Sequence, residues 1–354
     1  MGAAQITINA SFPREHLPDP ATEGDVRELA ALLQGDSVVD WTRLHFRSIP
    51  AVDRFLTVCG YDVENPPDLA RLQYIHQEAV RYVRSTLEIE VASVLSHPLR
   101  IQNVFMYASS RNRHRSQACM VLKAMHVIHH LEARELLFHL PCSEQMLFHR
   151  VDEVVSETVN SLIEAGLGVY QFHPSRKTKE SLITKLLSKR KSTAAQVFDR
   201  IRFRIITHKP SDIMPVLLFM KRHLVPFAFV VPGEATNTLS PLRDLFKEGL
   251  GVDGFDCATQ SQRPAFNRFS HEAFRVISFV VDLPVKVTDL VKATPSPILS
   301  RFGDVVLIPT EFQVFDRDTF EANEGGPASH LLYKERQITE VVRRLYSGRP
   351  PEDL

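Results

Sequence analysis

Residues 304–335 read DVVLIPTEFQVFDRDTFEANEGGPASHLLYKE, and this stretch decides the fold. It opens with the apolar run VVLI at 305–308, which is rich in β-branched side chains and predicts a buried strand. Gly-Gly-Pro at 325–327 breaks the chain, because glycine and proline end regular structure. From residue 328 onward the pattern predicts a helix. The stretch is therefore a strand followed by a helix.

Within the strand the residues alternate between two faces. Glu311 and Gln313 point one way, whereas Phe312 and Val314 point the other, since strand side chains switch faces at every residue. A carboxylate in an otherwise buried strand is costly unless a cation or a metal ion pairs with it. Glu311 is therefore a candidate functional residue.

This pattern resembles the end of the synthetase domain of the RelA/SpoT family, the alarmone (p)ppGpp synthetases. In that family a strand of the form E-V-Q-I-R-T leads into a helix approximating A-E-x-G-x-A-A-H-W-x-Y-K-E. The matching residues here are Glu311, Gln313, Glu324, Gly326, Ala328, His330, Tyr333, Lys334 and Glu335. Two residues depart from the pattern: Phe315 stands where the family's strand has arginine, and Phe320 stands where it usually has histidine.

A second informative stretch is strongly basic. Residues 175–204 contain ten Lys/Arg and two acidic residues. Lys177, Ser181, Lys185 and Lys189 recur at every fourth position, which predicts a single stripe on one helix. Such a stripe is suited to a polyphosphate, because lysine is a common phosphate ligand. The alternative is a basic helix face that only contacts solvent.

The basic stretch also resembles the RelA/SpoT family. The family's nucleotide-donor loop runs approximately K-x-x-Y-S-I-x-x-K-M-x-x-K, and D-x-x-G-x-R-I follows about ten residues later. The matching residues are Lys177, Ser181, Lys185, Lys189, Asp199, Arg204 and Ile205. Glu180 replaces the family's tyrosine, and Arg202 replaces its small residue.

The family's acceptor motif, N-G-Y-x-S-L-H, is expected near the apolar strand predicted at 273–283. Phe274 would replace its tyrosine, and its aromatic face would still stack on a base. Ser278 would replace the histidine, and the Asn-Gly pair is missing. This altered region leaves the identity of the acceptor open.

The order of predicted elements indicates the fold class. Strands are predicted at about 199–208, 227–231, 273–283 and 304–315, with helices between them. We therefore expect an α+β protein whose mixed β-sheet is flanked by helices, the nucleotidyltransferase-like architecture that the resemblance implies. Before Gly166 the chain shows almost no strand pattern, so an all-helical N-terminal domain precedes the sheet. The expected divisions are a flexible tail at 1–20, the helical domain at 21–165, the RelA/SpoT-like domain at 166–347 and a tail at 348–354.

The resemblance implies an ATP-dependent pyrophosphokinase, which transfers pyrophosphate from ATP to a ribose hydroxyl of a nucleotide acceptor such as GDP or GTP. Mg²⁺ is the expected cofactor, held by Asp199 and Glu311, with Glu311 as the base or second metal ligand. The residues expected to bind nucleotide are Lys177, Ser181, Lys185, Lys189, Arg204, Phe274, Gln313 and His330. Two alternatives stay open: a catalytically degenerate regulator that binds nucleotide or RNA, and an enzyme that transfers to tRNA. Alarmone synthesis would place the protein in the stringent response.

His126, His129 and His130 share one face of a predicted helix and raise the question of a metal site. No acidic ligand completes a known motif, so the alternative is that these are helix-surface or packing histidines near Glu132 and Glu135. The hydrolase half of long RelA/SpoT proteins uses a His-Asp metal motif, and this chain contains no His-Asp dipeptide. Alarmone hydrolysis by that route is therefore not expected.

Composition sets the general class. The chain has 354 residues, of which 44% are hydrophobic and 24% charged, as in soluble globular proteins. Lys+Arg and Asp+Glu are both 42, so a basic site must be local. The four cysteines show no C-x-x-C pair, which favours reduced thiols and a cytoplasmic location. No signal peptide and no membrane span are expected.

Overall fold

The computed structural model describes residues 7–8, 20–34, 45–188, 200–253, 271–290, 296–326 and 330–345. After a short strand, β1 (Thr7–Ile8), the described part of the first half is helical. Its helices are α1 (Glu23–Gln34), α2 (Ile49–Val58), α3 (Pro66–Ser85), α4 (Ser93–Ser96), α5 (Gln102–Ser109), α6 (Arg115–His139) and α7 (Glu144–Glu164). The sequence also predicts a helix at 37–46, and this segment lies mostly outside the described ranges.

The second half builds a five-stranded sheet. Its strands are β2 (Val169–Arg176), β3 (Ile201–Thr207), β4 (Val230–Asn237), β6 (Ile277–Lys286) and β7 (Val305–Asp316), in the order β2-β3-β7-β6-β4. β3 and β7 are parallel, and the other neighbours are antiparallel. The short strand β5 (Val252–Asp253) pairs with β1. The remaining helices are α8 (Lys179–Ser188), α9 (Ile213–His223), α10 (Leu242–Leu250), α11 (Ser296–Phe302), α12 (Arg317–Gly325) and α13 (His330–Leu345). The predicted α+β class, a mixed sheet flanked by helices, is confirmed.

The central strand β7 has one aromatic face. Phe312 of β7 lies between Phe203 of β3 and Phe279 of β6, with ring centroids 5.7 Å and 5.5 Å apart. All three rings are buried. Helices α6, α7 and α9 contact the sheet. The phenylalanines therefore form the layer on which the helices pack, and the opposite face of the same strands remains for polar side chains.

The apolar core joins the two halves of the chain. One cluster of buried side chains contains Leu29 and Leu122 from helices of the first half together with Phe203 and Phe312 of the sheet. Burial of apolar surface is the main favourable term in folding, so this shared cluster couples the helices to the sheet. The division into domains at 21–165 and 166–347 stays a prediction.

Ionic contacts also join the halves. Thr22 and Asp25 form a capping box at the start of α1, since the Asp25 amide donates to Thr22 Oγ1 and the Thr22 amide donates to Asp25 Oδ2. The same Asp25 carboxylate accepts from Lys221 Nζ at 2.6 Å and from Arg222 Nη2 at 2.7 Å. These contacts hold α1 against the end of α9.

Candidate active site on the polar face of the sheet

The polar face of the sheet carries a compact group of charged and amide side chains. Arg202 of β3 lies opposite Glu311 of β7, and Arg204 lies opposite Gln313. Ser278 of β6 lies opposite Gln313 on the other side. Neighbouring residues in register share a face of the sheet, so the alternation predicted for Glu311 and Gln313 brings all five side chains together. We refer to these five residues as the polar cluster.

Glu311 is the centre of the polar cluster and is buried, with 7% of its surface exposed. Its Oε2 accepts a hydrogen bond from Arg202 Nε at 2.8 Å. Its Oε1 accepts from Gln313 Nε2 at 2.8 Å and from Ser278 Oγ at 3.2 Å. A buried charge requires a partner and hydrogen bonds, and Glu311 has both without a metal ion.

Arg204 is the second cation of the polar cluster. Its Nε donates to Gln313 Oε1 at 3.2 Å, and its Nη1 donates to Glu324 Oε1 of α12 at 3.2 Å. Burial lowers the pKa of the Arg204 guanidinium, and the neighbouring Arg202 charge lowers it further. An anion at this point would relieve that repulsion, so the arrangement favours a phosphate group.

Beyond the polar cluster the same face becomes apolar. Ile206, Val276 and Phe315 are buried there, and Phe274 and Phe320 pack against them. The rings of Phe315 and Phe320 stack with centroids 5.7 Å apart. Phe274 is thus half-buried at the edge of an apolar group, next to the polar cluster. The two departures from the family pattern, Phe315 and Phe320, lie in this one group.

The basic stripe is shorter than the spacing predicts. α8 begins at Lys179, with Ser181 donating from its backbone to Thr178 Oγ1 at 3.3 Å. Lys177 therefore lies before the helix, where its backbone amide donates to the Arg200 carbonyl at 3.0 Å. Of the predicted stripe, Ser181 and Lys185 share a face of α8.

Three predicted site residues cannot be placed in this group. Lys189 and Asp199 lie outside the described residues, so the Mg²⁺ ion expected between Asp199 and Glu311 stays a prediction. His330 is the first residue of α13, and its side chain is not among those that the structure describes.

The donor chemistry of the polar cluster is suited to Mg²⁺. Mg²⁺ is usually held by one or two carboxylates together with substrate phosphates and water. Glu311 offers a carboxylate, and its Oε2 accepts only the hydrogen bond from Arg202 among the described residues. Within those residues no group of three side chains is arranged as a complete metal site. The cluster therefore fits a metal ion that shares its remaining ligands with a nucleotide.

Two residues of the polar cluster, Arg202 and Ser278, were not among the predicted site residues. The signal for Arg202 is the alternation I-R-F-R-I at 201–205, which places two arginines on one strand face. That face becomes a site only when β3 pairs with the E-F-Q segment of β7. Ser278 carries no local signal, because its role depends on a diagonal contact with Glu311.

The three histidines of α6 lie elsewhere and pack around an aromatic ring. The rings of His126 and His130 are 4.1 Å apart, and those of His129 and His130 approach Phe229 at 5.6 Å and 4.8 Å. Burial lowers the pKa of each of the three imidazoles. These contacts correspond to the packing histidines given above as the alternative to a metal site.

The sequence matches no protein-family model, and no curated protein matches it. Among solved structures, the chain is similar to small alarmone synthetase 1 from Bacillus subtilis, with 15% identity and a TM-score of 0.30 over 59% of this chain and 82% of that chain. It is also similar to small alarmone synthetase 2 from Bacillus subtilis, with 16% identity and a TM-score of 0.30 over 61% of this chain and 92% of that chain. Both solved proteins are of the class that the sequence motifs resemble. At TM-scores of 0.30 these similarities do not decide the function.

None of the helices in the described ranges has the length and apolar character that crossing a membrane requires.

Proposed function

We propose that this chain is a RelA/SpoT-like nucleotide pyrophosphokinase, which transfers pyrophosphate from ATP to a ribose hydroxyl of a nucleotide acceptor. The observation that supports it best is the polar cluster, in which a buried, oriented carboxylate lies beside two arginines. Phosphoryl transfer requires positioned cations for the phosphates and a group that accepts the proton of the attacking hydroxyl. The cluster contains both kinds of group on one sheet face.

The donor phosphates would contact the cations of the cluster and of α8. Arg204 uses Nε and Nη1 for its contacts with Gln313 and Glu324, so among the described residues its Nη2 is available to an anion. Lys177 lies just before α8 and Lys185 lies in its last turn, from where they would reach the outer phosphates. Lys189, Ser181 and His330 are proposed for the same nucleotide site.

Glu311 would act on the acceptor hydroxyl. Ser278 and Gln313 both donate to its Oε1, which fixes the plane of the carboxylate. A fixed carboxylate loses less entropy on reaching the reactive geometry than a free one does. When bound at Glu311 and Asp199, Mg²⁺ would supply neutralisation of the phosphate charge.

The acceptor would lie over the apolar end of the face, beside Phe274. GDP and GTP are the acceptors implied by the resemblance, but Phe315, Phe320 and Ser278 change the surroundings of that position. A different nucleotide or the end of a tRNA is therefore a second acceptor class to test. A product of the alarmone type would place the protein in the stringent response and in the cytoplasm.

One observation favours a second candidate function. Arg202 already pairs with Glu311, so part of the charge and hydrogen-bonding capacity of the carboxylate is taken up within the protein. A protein with this pairing would bind a nucleotide or RNA through its arginines and act as a regulator without transferring anything. The two candidates differ in whether labelled product forms.

The test is incubation of the full chain with γ-labelled ATP, Mg²⁺ and, separately, GDP, GTP, AMP, ADP and bulk tRNA. Labelled acceptor together with released AMP would support pyrophosphate transfer. Glu311→Gln should remove that product, and Glu321→Gln should not, because Glu321 pairs with Arg317 on the exposed side of α12. ATP binding without product from any acceptor would favour the regulator.

A further inference from the structure

The polar cluster carries an excess of positive charge among the described residues. The side chains of Arg202, Arg204 and Glu311 are 17%, 23% and 9% exposed, so two cations surround one carboxylate in a partly desolvated place. Glu324 adds a negative charge from α12, but its side chain is 46% exposed and therefore screened by solvent. A free divalent cation is repelled from such a group, whereas a polyphosphate is attracted.

The contacts of Glu311 also oppose the binding of a free divalent cation. Its Oε1 already accepts two hydrogen bonds, and its Oε2 is held by Arg202 Nε at 2.8 Å. A metal ion on Oε2, at about 2.1 Å, would therefore lie within a few ångströms of the guanidinium. Arginine stays charged at any ordinary pH, so it cannot release the oxygen by losing a proton. The guanidinium therefore opposes metal binding at Glu311 as long as the Arg202 side chain stays in place.

We propose that Arg202 excludes free Mg²⁺ from Glu311 and releases the carboxylate only when nucleotide phosphates bind, so that metal and nucleotide enter this site together. The phosphates offer Arg202 a charged, bidentate partner in exchange for its contact with Glu311. Arg202 is then a positioning residue that sets the order of binding. The exchange by phosphate rests on the proposed function, whereas the exclusion of free metal rests on the charges and contacts of the cluster alone.

Mn²⁺ is a suitable probe, because electron paramagnetic resonance measures free and bound Mn²⁺ directly. Without nucleotide, the Glu311→Gln variant should bind Mn²⁺ with the same affinity as the wild-type chain. With ATP present, the same substitution should weaken Mn²⁺ binding. This comparison needs no change at Arg202 and no catalytic activity.

A second comparison alters the arginine itself. Arg202→Gln should raise Mn²⁺ affinity without nucleotide on the order of tenfold, because one like charge near Oε2 is removed. The gain should disappear in the Arg202→Gln, Glu311→Gln double variant. Arg202→Lys keeps the positive charge and should keep the metal out. Circular dichroism spectra and melting curves would verify that each variant is folded.

The outcomes separate this inference from the proposed function. Wild-type chain that binds Mn²⁺ through Glu311 in the absence of nucleotide would overturn the exclusion, and so would a folded Arg202→Gln variant with no gain in affinity. Absence of ATP binding would instead contradict the proposed function, while the nucleotide-free comparison of Arg202→Gln with the wild type would still decide the exclusion.

Discussion

Lys286 of β6 and Asp68 of α3 form an ion pair between the sheet and the helices of the first half, with Nζ and Oδ2 2.6 Å apart. The Asp68 side chain is buried, and the Asp62 backbone amide donates to the same oxygen at 2.7 Å. The Asp68 carboxylate therefore joins the loop before α3, at Asp62, to the sheet, at Lys286. This contact acts together with the shared apolar core.

Asp68→Asn should lower the free energy of unfolding by about 1–2 kcal/mol, because it leaves Lys286 without its counter-ion while the amide oxygen still accepts from Asp62. Urea unfolding followed by circular dichroism measures the change. Glu78→Gln is the matched control, since Glu78 pairs with Arg81 on the solvent side of the same helix, and it should change stability by less than about 0.5 kcal/mol. Equal effects of the two substitutions would contradict a structural role for the Lys286–Asp68 pair.

The histidines of α6 should make the fold sensitive to acid. Burial lowers the pKa of His126 to about 3, and that of His129 and His130 is lowered as well. The folded chain then binds fewer protons than the unfolded chain below the ordinary histidine pKa of about 6.5, so stability falls as pH decreases from there. Burial raises the pKa of Asp282 to about 6, which acts in the opposite sense between about pH 6 and 4.

Burial lowers the pKa of His76 as well, and these four histidines outnumber two acids whose pKa burial raises, Asp282 and Glu28. Stability should therefore fall by roughly 1 kcal/mol per pH unit between pH 6.5 and 5. Urea unfolding at a series of pH values measures the slope. His126→Phe should make the slope shallower, because its ring lies against Phe229 and needs no proton. His149→Gln, at an exposed position, should leave the slope unchanged. A slope that His126→Phe does not alter would show that another group controls the acid response.

Lys185→Ala should weaken ATP binding by roughly three- to tenfold, as expected for one partly screened charge contact worth about 1 kcal/mol. Raising the salt concentration should weaken ATP binding to the wild type more than to the variant. Calorimetric titration at two salt concentrations gives both results. Lys247→Ala, on the exposed side of α10, is the control and should have no effect. If both variants bind ATP like the wild type, Lys185 does not contact the donor.

Replacing Phe315 with arginine, the residue of the family pattern at this position, should lower the stability of the fold. Its ring is 2% exposed and packs with Ile206, Val276 and Phe320. Phe315→Arg should therefore lower the free energy of unfolding by about 3 kcal/mol or more, because it buries an unpaired charge. Phe315→Leu should cost only about 1–2 kcal/mol. Thermal melting distinguishes the two, and a stable Phe315→Arg variant would mean that the cluster opens to solvent.

Sequence patterns predicted the elements that have a strong period. The helical first half follows from the near absence of strand pattern before Gly166, and β7 follows from its apolar start and its alternation around Glu311 and Phe312. β2 was not predicted, because it is an edge strand with mostly exposed residues and a proline, Pro174. Such a segment becomes a strand through its pairing with β3, which no local pattern encodes.

The candidate site is also predictable only in part. Glu311 and Gln313 are recognisable from the sequence because a polar side chain in a buried strand is costly unless it has a partner. Arg202 is not among the predicted site residues, since its partner Glu311 is 109 residues away and neither strand alone determines the register of a parallel pair. The position of Lys177 differed because Thr178, not an earlier residue, provides the side-chain oxygen at the start of α8.

The pairing of β3 with β7 also has a consequence for synthesis on the ribosome. β3 is complete long before its partner β7 exists, because 109 residues separate Arg202 from Glu311. Until β7 emerges, one edge of β3 has no partner, and contacts of such sequence separation form slowly. During this interval the nascent chain exposes an apolar strand, Ile201–Thr207, that is prone to pairing with other chains. The arginines on its opposite face carry like charges and oppose such association until Glu311 arrives.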